Sequence, residues 1–112
     1  MTATDNLAAL AAAVEAGDAN GDHFGMVWPP NDRDAWRINC TAWEAFNGDL
    51  NAAVRLVEAL FPGWGWVVEN DSTAAVWHPD TLGVSRDLST SDTPARALLL
   101  AVLRAKMGDG NG

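Results

Sequence analysis

The sequence predicts a single α+β domain, in which a small antiparallel sheet of three or four strands has helices on both faces. Two segments with apolar residues at the helical period, one near 49–61 and one near 93–107, enclose a stretch in which apolar residues alternate. A chain of 112 residues, of which 48% are hydrophobic, is the usual size of one domain with one modest core. We therefore expect one folding unit.

The first element is predicted to be an alanine-rich helix from about Asn6 to Ala16, capped by Thr4 or Asp5 and ended by Gly17. Its apolar face comprises Leu7, Leu10, Ala11 and Val14. Because alanine buries little area per residue, we expect this helix to form a thin outer layer or to dock on a partner.

Residues 17–47 are predicted to be a variable loop region. Glycine, asparagine and aspartate are frequent here, and Trp28-Pro29-Pro30 is typical of a loop. The regular structure expected is a strand around 24–28, a strand at 36–39, and a helical turn with Trp43 and Phe46 on one face. Because long loops are often functional, this region ranks first as the site of function.

Residues 49–107 are predicted to form a helix–hairpin–helix scaffold. Asp49 is the expected cap of the first helix, which ends at Pro62-Gly63. The strands at 64–69 and 73–78 alternate with a period of two and are joined by a turn at Asn70-Asp71-Ser72. Residues 82–88 are a candidate third strand.

The closing helix is predicted to begin with Thr93 as its cap and Pro94 as its first residue, and to end near Met107. Its expected buried face comprises Ala95, Leu98, Leu99, Val102 and Leu103. Residues 108–112 are expected to form a disordered tail.

Arg96, Leu100 and Arg104 share the opposite side of this helix at a spacing of four, which predicts that they are exposed. An exposed Leu100, together with the thin N-terminal helix, could bury surface in a homodimer. The sequence leaves the oligomeric state open.

A known family has a similar order of elements. The helix from Gly48, the Pro62-Gly63-Trp64 turn, the hairpin and the Thr93-Pro94-Ala95-Arg96 helix start together resemble the phage ABA sandwich domain. That family consists of small phage and prophage proteins with helices on both sides of an antiparallel sheet. The resemblance covers a little over half of the chain and implies a phage context, but it implies no functional residues.

Charge and composition exclude several classes of function. Fifteen acidic and seven basic residues give a net charge of −8, which repels phosphate backbones, so direct nucleic-acid binding is not expected. The apolar run from Ala97 to Leu103 is too short for a membrane span. The N-terminus lacks a secretory pattern and Cys40 is the only cysteine, so a cytoplasmic location is expected.

No motif indicates an enzyme, a metal site or a cofactor. The segment at 18–22 resembles the opening of a calcium loop, but His23 stands where glycine is needed and Pro29 where glutamate is needed. His23, His78 and Cys40 lack the spacing of a zinc site or of a nucleophile with its base.

The favoured hypothesis is a non-enzymatic phage or prophage accessory protein that binds a protein partner. Trp28, Arg33 and Trp36 are its expected contact patch, because tryptophan and arginine often supply most of the energy of an interface. Trp66 and Trp77 fall in strands and are expected to fill the core instead.

The alternative is an acidic host-defence antagonist, comparable to an anti-CRISPR protein, that mimics nucleic acid and blocks a host complex. It requires carboxylates on one face at spacings like those of phosphates. The candidate residues are Asp32, Asp34, Asp49, Glu58, Glu69 and Asp71.

Overall fold

The computed structural model of the chain describes residues 3–28, 31–69, 73–77, 89–90 and 93–110. Five helices and a small antiparallel sheet form one α+β domain in these residues, as the sequence predicts. The helices are α1 Ala3–Ala16, α2 Gly21–Val27, α3 Arg33–Phe46, α4 Leu50–Leu60 and α5 Pro94–Gly110. The strands are β1 Gly65–Val68, β2 Thr73–Trp77 and β3 Ser89–Thr90.

Helix α5 is the centre of the fold, and α1, α3, α4 and β2 pack around it. Its buried residues are Ala95, Ala97, Leu98, Leu99, Leu100, Ala101, Val102 and Leu103. A helix that is apolar all round is typical of such a central position. None of the helices in the described ranges is long and apolar enough to cross a membrane.

This packing corrects the predicted exposed side of α5. Leu100 is only 1% exposed, because neighbouring elements surround the helix, and Arg96 is half-buried. Leu100 therefore contributes no surface to the homodimer that its spacing suggested. Arg104 alone of the three is exposed, and it pairs with Glu15 of α1 at 3.4 Å.

The two helix starts of the predicted scaffold are confirmed. The Asp49 carboxylate accepts a hydrogen bond from the Ala52 backbone N–H at 3.1 Å, and α4 begins directly after Asp49. Thr93 Oγ1 accepts one from the Arg96 backbone N–H at 3.1 Å, with Pro94 as the first residue of α5. Helix α5 continues to Gly110, past its predicted end.

The region 17–47 is mostly helical, which corrects the predicted loop with two short strands. Helix α2 begins with a capping box, in which the Asn20 side chain accepts hydrogen bonds from the backbone of Asp22 and His23. His23 Nδ1 accepts the Asn20 backbone N–H at 3.2 Å in return. The residues that imitate a calcium loop are therefore the start of a helix.

Helix α3 includes the residues predicted as a strand at 36–39 and as a turn around Trp43. Its cap is Asp32, whose carboxylate accepts hydrogen bonds from the backbone of Asp34 at 3.0 Å and Ala35 at 3.2 Å. Ala42, Ala45 and Phe46 are buried along one side. Helical packing against the core thus outweighs the strand preference of residues near Trp36.

Strands β1 and β2 form the predicted antiparallel hairpin, in which Gly65 lies opposite Trp77 and Val68 opposite Ala74. The short β3 pairs with the other edge of β2. Within the described ranges, α5 is the helix that packs extensively on this sheet. The candidate strand at 82–88 lies outside the described residues, and helices on the second face stay a prediction.

The indole of Trp77 lies where a Cβ atom on Gly65 would stand. Gly65→Ala should therefore lower the free energy of unfolding in urea, by about 1–3 kcal/mol, because the indole must move. Gly25 in α2 is the matched control, since no atom of the described residues lies within 4 Å of its Cβ position. Gly25→Ala should raise that free energy by about 0.5–1 kcal/mol. Changes of the same sign would contradict the placement of Trp77.

Candidate functional site

The outer side of α3 displays two large indoles. Trp36 is 51% exposed and Trp43 is 39% exposed, and they lie two turns apart on one side of the helix. Cys40 lies between them, half-buried, and Arg33 lies exposed one turn before Trp36. We call these four residues, Arg33, Trp36, Cys40 and Trp43, the α3 face.

The opposite side of α3 fixes the orientation of this face. Ala42, Ala45 and Phe46 are buried in the core. The Asn39 side-chain amide donates a hydrogen bond to the Trp28 backbone carbonyl at 3.0 Å, which ties α3 to the end of α2. The α3 face therefore stands on a helix that is anchored from Asn39 to Phe46.

The two tryptophans differ in how firmly they are held. Trp43 packs edge-on against the ring of Phe24, with centroids 5.5 Å apart, and lies 5.9 Å from Phe46. In the described part of the chain, no hydrogen bond or ring contact holds the Trp36 side chain. The Trp43 side chain is thus held by its ring contacts, whereas the Trp36 side chain is available to a partner.

Charged residues flank the indoles. Arg37 and Glu44 are exposed and lie two turns apart along one edge of the α3 face. The Glu44 carboxylate pairs with Arg55 of α4 at 3.3 Å, and more than half of each side chain is exposed. Such an exposed pair is weak, so Glu44 can exchange this partner for another cation.

The predicted contact patch of Trp28, Arg33 and Trp36 is only partly assembled. Arg33 and Trp36 both belong to the α3 face. Trp28, however, is 7% exposed and stacks on Phe24 with centroids 6.5 Å apart, so it is a core residue. Trp43 takes its place at the surface.

The two strand tryptophans also separate. Trp77 is half-buried over Gly65, in line with a packing role. Trp66 is 40% exposed, so the prediction that it fills the core is wrong. Strand alternation places Trp66 and Val68 on one face, and of the two only Val68 packs against the core cluster of the described residues.

The acidic residues proposed for nucleic-acid mimicry lie on several elements. Asp32 and Asp49 accept backbone hydrogen bonds at the starts of α3 and α4, a structural role that explains their positions. Asp34, Glu58 and Glu69 are exposed on α3, on α4 and after β1. Asp71 lies outside the described residues.

Of the candidate catalytic and metal-binding side chains, the two that the structure describes lie on different helices. His23 completes the capping box of α2, Cys40 belongs to the α3 face, and His78 lies outside the described residues. Among the described residues, no group of three or more His, Cys, Asp or Glu is placed to hold a metal ion.

A cavity of about 280 Å³ lies between α1, the end of α2 and α5. Its described lining residues are Asn6, Leu7, Met26, Val27, Trp28 and Lys106. The Asn6 side-chain amide donates a hydrogen bond to the Met26 carbonyl at 3.3 Å, while its Oδ1 atom is buried and has no hydrogen-bond partner among the described residues. Because Leu7, Met26, Val27 and Trp28 are apolar, the described wall of the cavity is mainly apolar.

Neither protein-family models, nor curated proteins, nor solved structures gave a match to this chain. The resemblance to the phage ABA sandwich domain therefore stays a sequence-based prediction. Helix α3 itself has a sequence pattern that indicates a helix, namely an Asp32 cap followed by Ala35, Ala42 and Phe46 at helical spacing. The Trp28-Pro29-Pro30 step and the polar composition around it obscured that pattern.

Proposed function

We propose that this chain is a non-enzymatic phage or prophage accessory protein that binds another protein through the α3 face in the host cytoplasm. The observation that supports it is the exposure of Trp36 and Trp43 on the same side of one anchored helix. Tryptophan and arginine are the residues that most often dominate binding energy, and the α3 face combines both types.

The rigidity of α3 favours binding further. Side chains that are already ordered lose less conformational entropy when a partner associates. Trp43 is held against Phe24, and the Asn39 hydrogen bond fixes the helix. Binding of a partner would therefore have to order few side chains other than those of Trp36 and Arg33.

Affinity capture with a Trp36→Ala variant tests this proposal, with Trp66→Ala as the matched control. Both tryptophans are exposed to a similar degree, 51% and 40%, but Trp66 lies on β1 rather than on α3. Tagged wild type and Trp66→Ala should retain at least one host or phage protein that Trp36→Ala loses, as identified by mass spectrometry. Melting curves establish that all three proteins are folded, and an identical set of captured proteins would refute the proposal.

The same experiment separates this proposal from nucleic-acid mimicry. An acidic mimic would capture a nucleic-acid-binding complex whether or not Trp36 is present. Its capture would also weaken strongly between low and high salt, since charges at a surface are screened.

A further inference from the structure

We infer that a second copy of this chain binds the α3 face, so that the two α3 helices pack antiparallel about a two-fold axis. The inference rests on the proposed function, because both use the same surface, and it names a partner for that surface.

The spacing of the α3 face is that of a helix that packs on another helix. Arg33, Trp36, Cys40 and Trp43 follow one another at intervals of three, four and three residues. This is the a and d spacing with which helices form a seam in coiled coils. The buried residues of α3 lie on its other side, so the seam is additional to the packing within the domain.

The charges at the edge of the seam are self-complementary in the antiparallel orientation. Arg37 and Glu44 lie one heptad apart along the same edge of the α3 face. In an antiparallel pair the first half of each helix lies beside the second half of the other, and equivalent edges face each other. Arg37 then lies opposite Glu44 of the second copy, and two-fold symmetry repeats the pair.

The exposed area of the indoles sets the expected strength of the dimer. The remaining exposed area of four tryptophans, two from each copy, amounts to on the order of 400 Å². A stable interface buries about 1,200 Å² or more, so the seam needs flanking contacts and is expected to be weak. We expect a micromolar dimer, in equilibrium with monomer at ordinary working concentrations.

Cys40 provides a direct report on the contact, because it lies within the seam and is the only cysteine in the chain. A short bis-maleimide should link two wild-type copies through Cys40 at protein concentrations near the dimer dissociation constant. The yield should fall as the protein is diluted. A cross-link yield no higher than that of the urea-unfolded chain would overturn the inference.

Charge reversal tests the antiparallel orientation by sedimentation equilibrium. Arg37→Glu and Glu44→Arg should each raise the dimer dissociation constant about tenfold, since each change replaces two attractive pairs with two repulsive ones. The double variant Arg37→Glu/Glu44→Arg should restore the wild-type value to within about threefold. Glu58→Arg, on α4, is the control reversal and should leave the constant unchanged.

Circular dichroism verifies that each variant is folded, which is expected because the three side chains are exposed. A wild-type protein that stays monomeric at several hundred micromolar would overturn the inference, as would a double variant that is no better than the single ones. If the protein is monomeric but Trp36→Ala still loses captured proteins, the inference fails and the proposed function stands. If the dimer forms but capture is independent of Trp36, the proposed function fails instead.

Discussion

Replacing Leu100 with alanine is expected to lower the free energy of unfolding by about 2–5 kcal/mol, the usual cost of removing a fully buried leucine side chain. Leu100 is 1% exposed in the central helix α5, where close neighbours on every side leave a cavity when it is truncated. The loss is measured as a lower midpoint in urea denaturation at unchanged slope.

Leu50 in α4 is the matched control for Leu100, since it is also a helical leucine but is 38% exposed. Leu50→Ala should lower the free energy of unfolding by less than about 1 kcal/mol. Similar losses for the two variants would place Leu100 on an exposed side of α5, where its spacing from Arg96 and Arg104 first suggested.

Removing the Arg96 guanidinium is expected to lower the free energy of unfolding by about 2–4 kcal/mol, because the group makes both a charge-assisted hydrogen bond and a cation–π contact. Arg96 Nε donates to the Phe46 backbone carbonyl at 2.6 Å, and the guanidinium lies 4.1 Å from the centre of the Phe46 ring. Phe46 is the last residue of α3, where a cation also offsets the partial negative charge of the helix end. Arg96 thus joins α5 to the helix that displays the tryptophans.

Arg96→Met keeps most of the side-chain stem and removes the charge, so its urea denaturation reports the loss of the guanidinium contacts. Arg55→Ala is the control, because Arg55 makes an exposed ion pair with Glu44 at 3.3 Å. The free energy of unfolding of Arg55→Ala should be less than about 1 kcal/mol below that of the wild type. Equal losses would mean that Arg96 contributes no more than a surface ion pair.

The elements that depend on local chemistry were predictable. The Asp49 and Thr93 side chains accept hydrogen bonds from backbone N–H groups at the starts of α4 and α5, and Pro94 has no N–H group that needs a partner. Both helices start where the sequence predicts. The antiparallel pairing of β1 and β2 follows in the same way from alternation on either side of a polar segment of the sequence.

Features that depend on tertiary packing were not predictable. Leu100 and Arg96 look exposed along one helix, yet other elements surround α5, and the Arg96 side chain reaches the end of α3. Trp28 lies beside two prolines in a polar stretch, and its burial against Phe24 depends on α2 and α3 packing together. The fold class could therefore be predicted from the sequence, whereas the residues of the binding patch could be identified only from the structure.

The mass of the protein in solution tests most directly whether a second copy binds the α3 face, when variants of two exposed tryptophans are compared. Sedimentation equilibrium at several hundred micromolar should give a mass approaching that of a dimer for the wild type and for Trp66→Ala. Trp36→Ala should remain monomeric, since it removes the most exposed indole from both sides of the seam. The same mass for all three proteins would contradict the assignment of the α3 face as the surface that a second copy binds.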